Sequence, residues 1–247
     1  MEFLLVLLTL AGLLSLAGLF VYLAIRGGSH WRKKMDSMLL PIGFEACKDS
    51  NEVASVAQRL HMVNARHAGK RLLMNLYRGS SAQGDFDTYV CDYRFSSASG
   101  RARGGSWILV CLISRTLNLP RFTLESLPET RGVAGRLFNV LSDAFEVPGL
   151  IPMEPTRLGL DQRFRVYVEP GGIERVSAYR PCFSSLRNDM AGVGVYVEGD
   201  TIALSSLAMI MDQIRQDIDP QKLRGLIHLV SSLHLALMEK SQELKRY

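Results

Sequence analysis

The sequence predicts an α+β fold: a mainly antiparallel sheet with flanking helices, preceded by one N-terminal transmembrane helix. Three observations predict it. Residues 4–25, LLVLLTLAGLLSLAGLFVYLAI, carry no charged side chain. From about residue 70 to residue 206, short apolar or alternating runs recur between Gly, Ser, Asp and Pro, the pattern of strands joined to antiparallel neighbours by tight turns. Segments with apolar residues every three or four positions precede, interrupt and close that series, as helices packed on a sheet do.

The N-terminal stretch is 22 residues long, and 14 of them are Leu, Ile, Val or Phe. As a helix it reaches ~33 Å, against a hydrocarbon core of ~30 Å. A cleaved secretory leader is the rival. An acidic Met1-Glu2 start, a run longer than the usual ~7–15 residues and a following RGGSHWRKK with no small-x-small site oppose it. Arg26, Arg32, Lys33 and Lys34 follow the span and no basic residue precedes it. The positive-inside rule therefore places the N-terminus outside and the remainder in the cytoplasm, with Trp31 near headgroup level at the inner membrane. Ala11, Ser15 and Gly18 share one face of the span, a surface on which two such helices approach closely. The expected organisation is an anchor over 1–26, a basic juxtamembrane connector over 27–40, and a single α+β cytoplasmic domain over 41–247 ending in a long C-terminal helix.

The elements follow in order. MDSMLLPIGF, broken by Pro41, reads as a connector. SNEVASVAQRLHMVNARHAG is a helix striped by Val53, Val56, Ala57, Leu60 and Val63; Ser50 begins it, and Glu52 suits its first turn. KRLLMNLYRG and FDTYVCDYRF are strands; in the second, Tyr89, Cys91, Tyr93 and Phe95 share a side that Asp87 extends. SWILVCLIS is apolar on both faces, which predicts a central strand. RFTLESL follows Pro120, the mark of a strand start or an edge. GVAGRLFNVLSDAF is the next helix, and EVPGLIPMEPTRLG, with three prolines, is an irregular connection. DQRFRVYVEP is a strand, and GGIERVSAYRPCFSSLRND gives short helices broken at Pro181. GVGVYVEGDTIALSS is a hairpin turning at Gly199-Asp200. SLAMIMDQIRQD is helical. The last helix opens at Asp219-Pro220 and runs through Leu223, Ile227, Val230 and Leu237 to Leu244, striped to dock on the sheet.

No motif in the chain specifies a reaction. SGRARGGS places Gly100 and Gly105 at phosphate-loop spacing. Ser106 stands where a lysine is required, and the element that follows is a strand, so the segment reads as a hairpin tip. Arg94, Arg101 and Arg103 around it are candidate contacts for an anionic ligand or lipid headgroup. His61 and His67, like His228 and His234, stand six apart. That spacing turns them to different helix faces, and no metal site follows. Cys47, Cys91, Cys111 and Cys182 are scattered, as free thiols in a reducing compartment are. Asp87 and Asp92 have opposite parity on their strand and cannot act as a catalytic pair, whereas Asp92 and Arg94 share a face as surface neighbours. The formal charge is +5, but removing the four flank cations from the 29 Lys and Arg leaves 25 against 24 Asp and Glu. The electrostatic case for nucleic acid therefore lapses. No catalytic residue, cofactor or metal is expected.

Asp92-Tyr93, Leu119-Pro120-Arg121-Phe122 and Val197-Glu198-Gly199-Asp200, in this order behind an apolar N-terminal span, resemble a bacterial family of membrane-anchored proteins of unknown function. The resemblance implies the architecture and carries no activity with it. The leading expectation is a protein-interaction or scaffold module at the inner membrane, whose associates are the lipid bilayer and a membrane-protein partner or a homo-oligomer. The alternatives are a module for anionic lipid or a small anionic ligand, and an enzyme with an unrecognised site.

Overall fold

A computed structural model describes residues 31–60, 71–81, 84–95, 105–126, 149–206 and 218–246. The chain divides into two units, Met1–Gly43 and Phe44–Tyr247. Residues 4–25, expected to cross the membrane, lie outside the described residues. Among those described, no helix is long and apolar enough to do so.

In the first unit, residues 31–39 are helical (α1) rather than a connector. The reason is a 3.6-residue period that the proline had obscured. Trp31, Met35, Met38 and Leu39 fall on one face and are buried, and Arg32 and Lys33 are exposed on the other. Pro41 sits inside a 3-10 turn, Leu40–Ile42, which Gly43 closes at φ 86°.

In the second unit the described strands form one nine-stranded sheet with every pairing antiparallel. The strands are β1 (Glu45–Ala46), β2 (Arg71–Ser80), β3 (Phe86–Phe95), β4 (Gly105–Ser114), β5 (Leu119–Ser126), β6 (Ile151–Met153), β7 (Phe164–Val168), β8 (Val193–Gly199) and β9 (Thr201–Ser206). Their spatial order is β1-β2-β3-β4-β9-β8-β5-β7-β6. Both edges are short, and β6 carries Pro152, which cannot donate to a further strand. β4 is central as its sequence requires: Ile108 to Leu112 are fully buried on both faces. Pro120, by contrast, does not mark an edge. β5 lies between β8 and β7, and its proline is absorbed at the strand start, where the register shifts between Leu119 and Phe122. The connection expected to be irregular throughout contains β6 and a 3-10 turn, Pro155–Leu158.

Strand parity assigns the two faces. Tyr89, Cys91, Tyr93, Leu109, Cys111, Ala203 and Tyr196 point one way and pack with Val56 and Leu60 of α2 (Ser50–Arg59). Asp49 rather than Ser50 caps α2, accepting the Asn51 N–H at 2.9 Å. Val110, Leu112, Phe122, Leu124, Val195 and Val197 point the other way. That side receives α3 (Ile173–Ser177), α4 (Arg180–Ser185) and α5 (Pro220–Leu244). Phe183 of α4 meets Phe122 edge to face, ring centroids 5.6 Å apart. The segment around Pro181 forms two short helices, as expected, with that proline in the first turn of α4, and α5 is capped as expected, Asp219 accepting the Gln221 N–H at 2.8 Å. The helices expected over 132–145 and 206–217 lie outside the described residues but for Ser206, the last residue of β9.

Candidate functional site

Burial of Val56 and Leu60 against the sheet fixes the rotation of α2 and turns Ser55, Gln58 and Arg59 outward. The β8–β9 hairpin comes up opposite. Its register pairs Glu198 with Thr201, so Gly199 and Asp200 form a two-residue turn, and Gly199 takes φ 59°, which suits glycine. The turn presents Asp200 to Arg59, whose Nη1 donates to both carboxylate oxygens. Thr201 Oγ1 donates to Asp200 Oδ1 at 2.8 Å, and the Asp200 carbonyl accepts the Ser114 N–H at 2.8 Å. Glu198 stands 3.6 Å from the Arg121 guanidinium. Ser55, Gln58, Arg59, Glu198, Asp200 and Thr201 line an open cleft of about 350 Å³. It offers hydroxyl, amide, carboxylate and guanidinium groups at hydrogen-bonding range, and its lining holds no thiol and no imidazole.

A second polar group sits where α2 meets β2 and β3. Tyr89 Oη donates to Glu52 Oε1 at 3.0 Å, and Arg78 reaches Glu52 at 3.4 Å. Arg78 Nε and Nη2 donate to Asp87 Oδ1 at 3.1 and 3.0 Å, Ser80 Oγ donates to the same atom at 3.0 Å, and Arg115 lies 3.6 Å from Asp87. Burial, with the Glu52 hydrogen bond second, pushes the Tyr89 phenol up. Burial, and then the Glu52 charge, raises the Cys47 thiol to about 11. A thiol so raised is protonated at neutral pH and is not a nucleophile. The group is a satisfied ion-pair lattice that fastens α2 to the sheet.

All four cysteines are free. Burial raises Cys91 well above its usual value, Cys111 to about 12 and Cys182 to about 11. Cys182 Sγ donates to the Ala236 carbonyl at 3.2 Å and ties α4 to α5. Among the described residues no group of His, Cys, Asp and Glu is placed to hold a metal ion. A serine and a histidine do meet: His234 Nε2 lies 3.0 Å from Ser114 Oγ. Both are buried, Ser114 Oγ also accepts the Thr116 and Leu117 N–H groups, and no hydrogen-bonding carboxylate orients the far ring nitrogen. A nucleophile–base pair needs access to substrate and an oriented base, and this pair has neither.

The residues singled out in the sequence are placed differently. Arg94 lies on β3 opposite Leu72 and Ser106, and Arg101 and Arg103 lie outside the described residues. β3 and β4 are antiparallel neighbours, Phe95 opposite Gly105, and residues 96–104, expected to form the hairpin tip, lie outside the described residues. Trp31 is buried at 8% exposure, Arg32 and Lys33 are exposed and Lys34 is half-buried. Arg26, Ala11, Ser15 and Gly18 lie outside the described residues. Asp92 is fully buried rather than at the surface, because its face of β3 lies under the sheet's covered side. Sequence reasoning missed Arg59 and Asp200. The available clue was an arginine at the end of a predicted helix and an acid at a predicted turn, 141 residues apart.

No protein-family model matches this chain, and no curated protein matches it. Among solved structures it is similar to the mycobacterial trehalose monomycolate transport factor A, TtfA, at a TM-score of 0.45 and 10% sequence identity, over 84% of this chain and 94% of that one.

Proposed function

We propose that the chain is a membrane-tethered interaction module that binds a protein partner at the cytoplasmic surface of the inner membrane, with the Arg59–Glu198–Asp200 cleft as its polar point of contact. The observation that carries the reading is the cleft itself. It is open, it mixes both charge signs, and it is held by a fixed helix and a fixed hairpin, while the Ser114–His234 pair is buried. The uncharged span at residues 4–25 and its basic flank supply the tether and its orientation. The resemblance at Asp92-Tyr93, Leu119-Pro120-Arg121-Phe122 and Val197-Glu198-Gly199-Asp200 supports the anchored architecture alone.

A photo-crosslinking amino acid placed at Ser55 in the full chain, in living cells, tests this. A discrete adduct in the membrane fraction that is lost when Asp200→Arg is added supports the reading. No adduct, or one indifferent to the charge reversal, overturns it.

A further inference from the structure

The stripe of α5 that faces the sheet is aliphatic except at His234 and, near the helix end, Ser241. Leu223, Leu226, Leu229, Val230, Leu233 and Leu237 are buried, and among them His234 is 1% exposed. We propose that His234 is a proton-sensitive pin: its neutral ring fastens α5 to the end of β4, and gain of a proton unfastens it.

Counting donors and acceptors fixes the neutral form. A serine hydroxyl has two lone pairs and one hydrogen. Ser114 Oγ accepts the N–H of Thr116 at 3.2 Å and of Leu117 at 3.3 Å, which fills both lone pairs. Its hydrogen has two neighbours, His234 Nε2 at 3.0 Å and Thr116 Oγ1 at 3.2 Å. Thr116 is exposed and has water, whereas Nε2 is buried and has nothing else, so the hydrogen goes to Nε2. Nε2 is therefore the acceptor and Nδ1 carries the ring proton. Nδ1 is buried without a hydrogen-bond partner among the described residues. A second ring proton would point an Nε2–H at an oxygen whose acceptor positions are full. It would also leave a cation with no counter-ion in hydrogen-bonding contact.

The surroundings set the sign. Phe86 of β3 lies against the ring, centroids 4.7 Å apart and tilted 55°. Among the described residues the charge that acts on the ring is Asp85, which precedes β3; Arg115 follows Ser114 at the end of β4. The Arg115 N–H donates to the Asp85 carbonyl at 3.0 Å, and its guanidinium reaches Asp87 at 3.6 Å. On α5 itself His228 is exposed and bonded to Ser232. Asp85 favours the charged ring, but burial outweighs it and the imidazole is held below its ordinary 6.5. A lowered value means the unfastened state binds the proton more readily than the fastened one. The stabilisation is thus whole above pH 6.5 and drains away as the pH falls below it, at no more than about tenfold in the fastening equilibrium per pH unit. Because Cys182 of α4 donates to Ala236, two residues beyond His234, loosening of this turn reaches α4 as well.

The test uses the full chain in detergent micelles. Hydrogen–deuterium exchange of α5 is followed from pH 7.5 to 5 and corrected for intrinsic rate, in wild type, His234→Gln and His228→Gln. Wild type and His228→Gln should lose protection over residues 229–241 as the pH falls, by up to about tenfold per unit relative to His234→Gln. Nitrogen-15 spectra of the wild-type histidines, assigned from Gln variants of the other four, should show a neutral Nδ1–H ring at position 234 titrating below the ordinary 6.5. That measurement stands even if His234→Gln does not fold. A His234 midpoint at or above 6.5, or α5 protection that follows the same pH course in wild type and His234→Gln, overturns the proposal.

Discussion

The two faces of this sheet are covered by different chemistry. The face under α3, α4 and α5 is mostly aliphatic and aromatic, with buried polar residues at Thr88, Asp92 and Ser114 on the sheet and at His234 on α5. The face under α2 has an apolar patch around Tyr89, Cys91, Cys111 and Ala203, bordered on two sides by ion pairs: Glu52, Arg78 and Asp87 at one end, Arg59 and Asp200 at the other. The α5 side buys stability with area. The α2 side is held by a ten-residue helix with two buried anchors, Val56 and Leu60, so its position depends more on polar fastenings and its borders stay accessible. A surface that must recognise something is better placed on the second kind of face, because specificity comes from directional groups more than from buried area.

The sharpest way to break this contrast is to attack the aliphatic side. Phe122 is fully buried and packs edge to face on Phe183. Phe122→Ala should cost about 3–5 kcal/mol in chemical denaturation of the full chain, the transfer loss plus the cavity it leaves. A loss under about 1 kcal/mol would mean that α4 is not seated where this layer requires.

Tyr89→Phe probes the other side with a smaller effect. It removes the hydroxyl that donates to Glu52 at 3.0 Å and leaves the ring in the apolar patch. The expected loss is about 1 kcal/mol. Glu52 keeps Arg78 at 3.4 Å, so the carboxylate is not stranded. A far larger loss would show that α2 is pinned by this one bond; no loss would assign its place to Val56 and Leu60 alone.

How far each face was legible in the sequence follows the same division. Strand limits, the central place of β4 and the β8–β9 turn were readable, because period-two burial and a Gly-Asp turn are local features. So were the caps at Asp219 and Pro220. What escaped depends on partners far along the chain. Pro120 reads equally as a strand start or an edge until β7 and β8 are known to flank its strand. Asp92 reads as a surface residue until its face is known to be covered. α1 was hidden because Pro41 drew attention away from Trp31, Met35, Met38 and Leu39, spaced by helical turns. The cleft was least legible of all. Arg59 and Asp200 are ordinary residues until the fold brings a helix end to a hairpin tip, and the arginines around Gly100 drew the search elsewhere.

The smallest predicted effect bears most directly on the cleft. Arg59 and Asp200 keep 38% and 34% of their side-chain surface exposed, so solvent screens their attraction and holding two side chains in register costs entropy. A double-mutant cycle with Arg59→Ala and Asp200→Ala should therefore give a stability coupling of about 0.2–1 kcal/mol that shrinks as salt is raised. A coupling of several kcal/mol, insensitive to salt, would make the pair part of the folded core and remove the reason to look for a partner there. A weak and screened coupling leaves two fixed, opposite charges at the surface that contribute little to folding, and whose placement by α2 and the hairpin turn then calls for a role outside the fold.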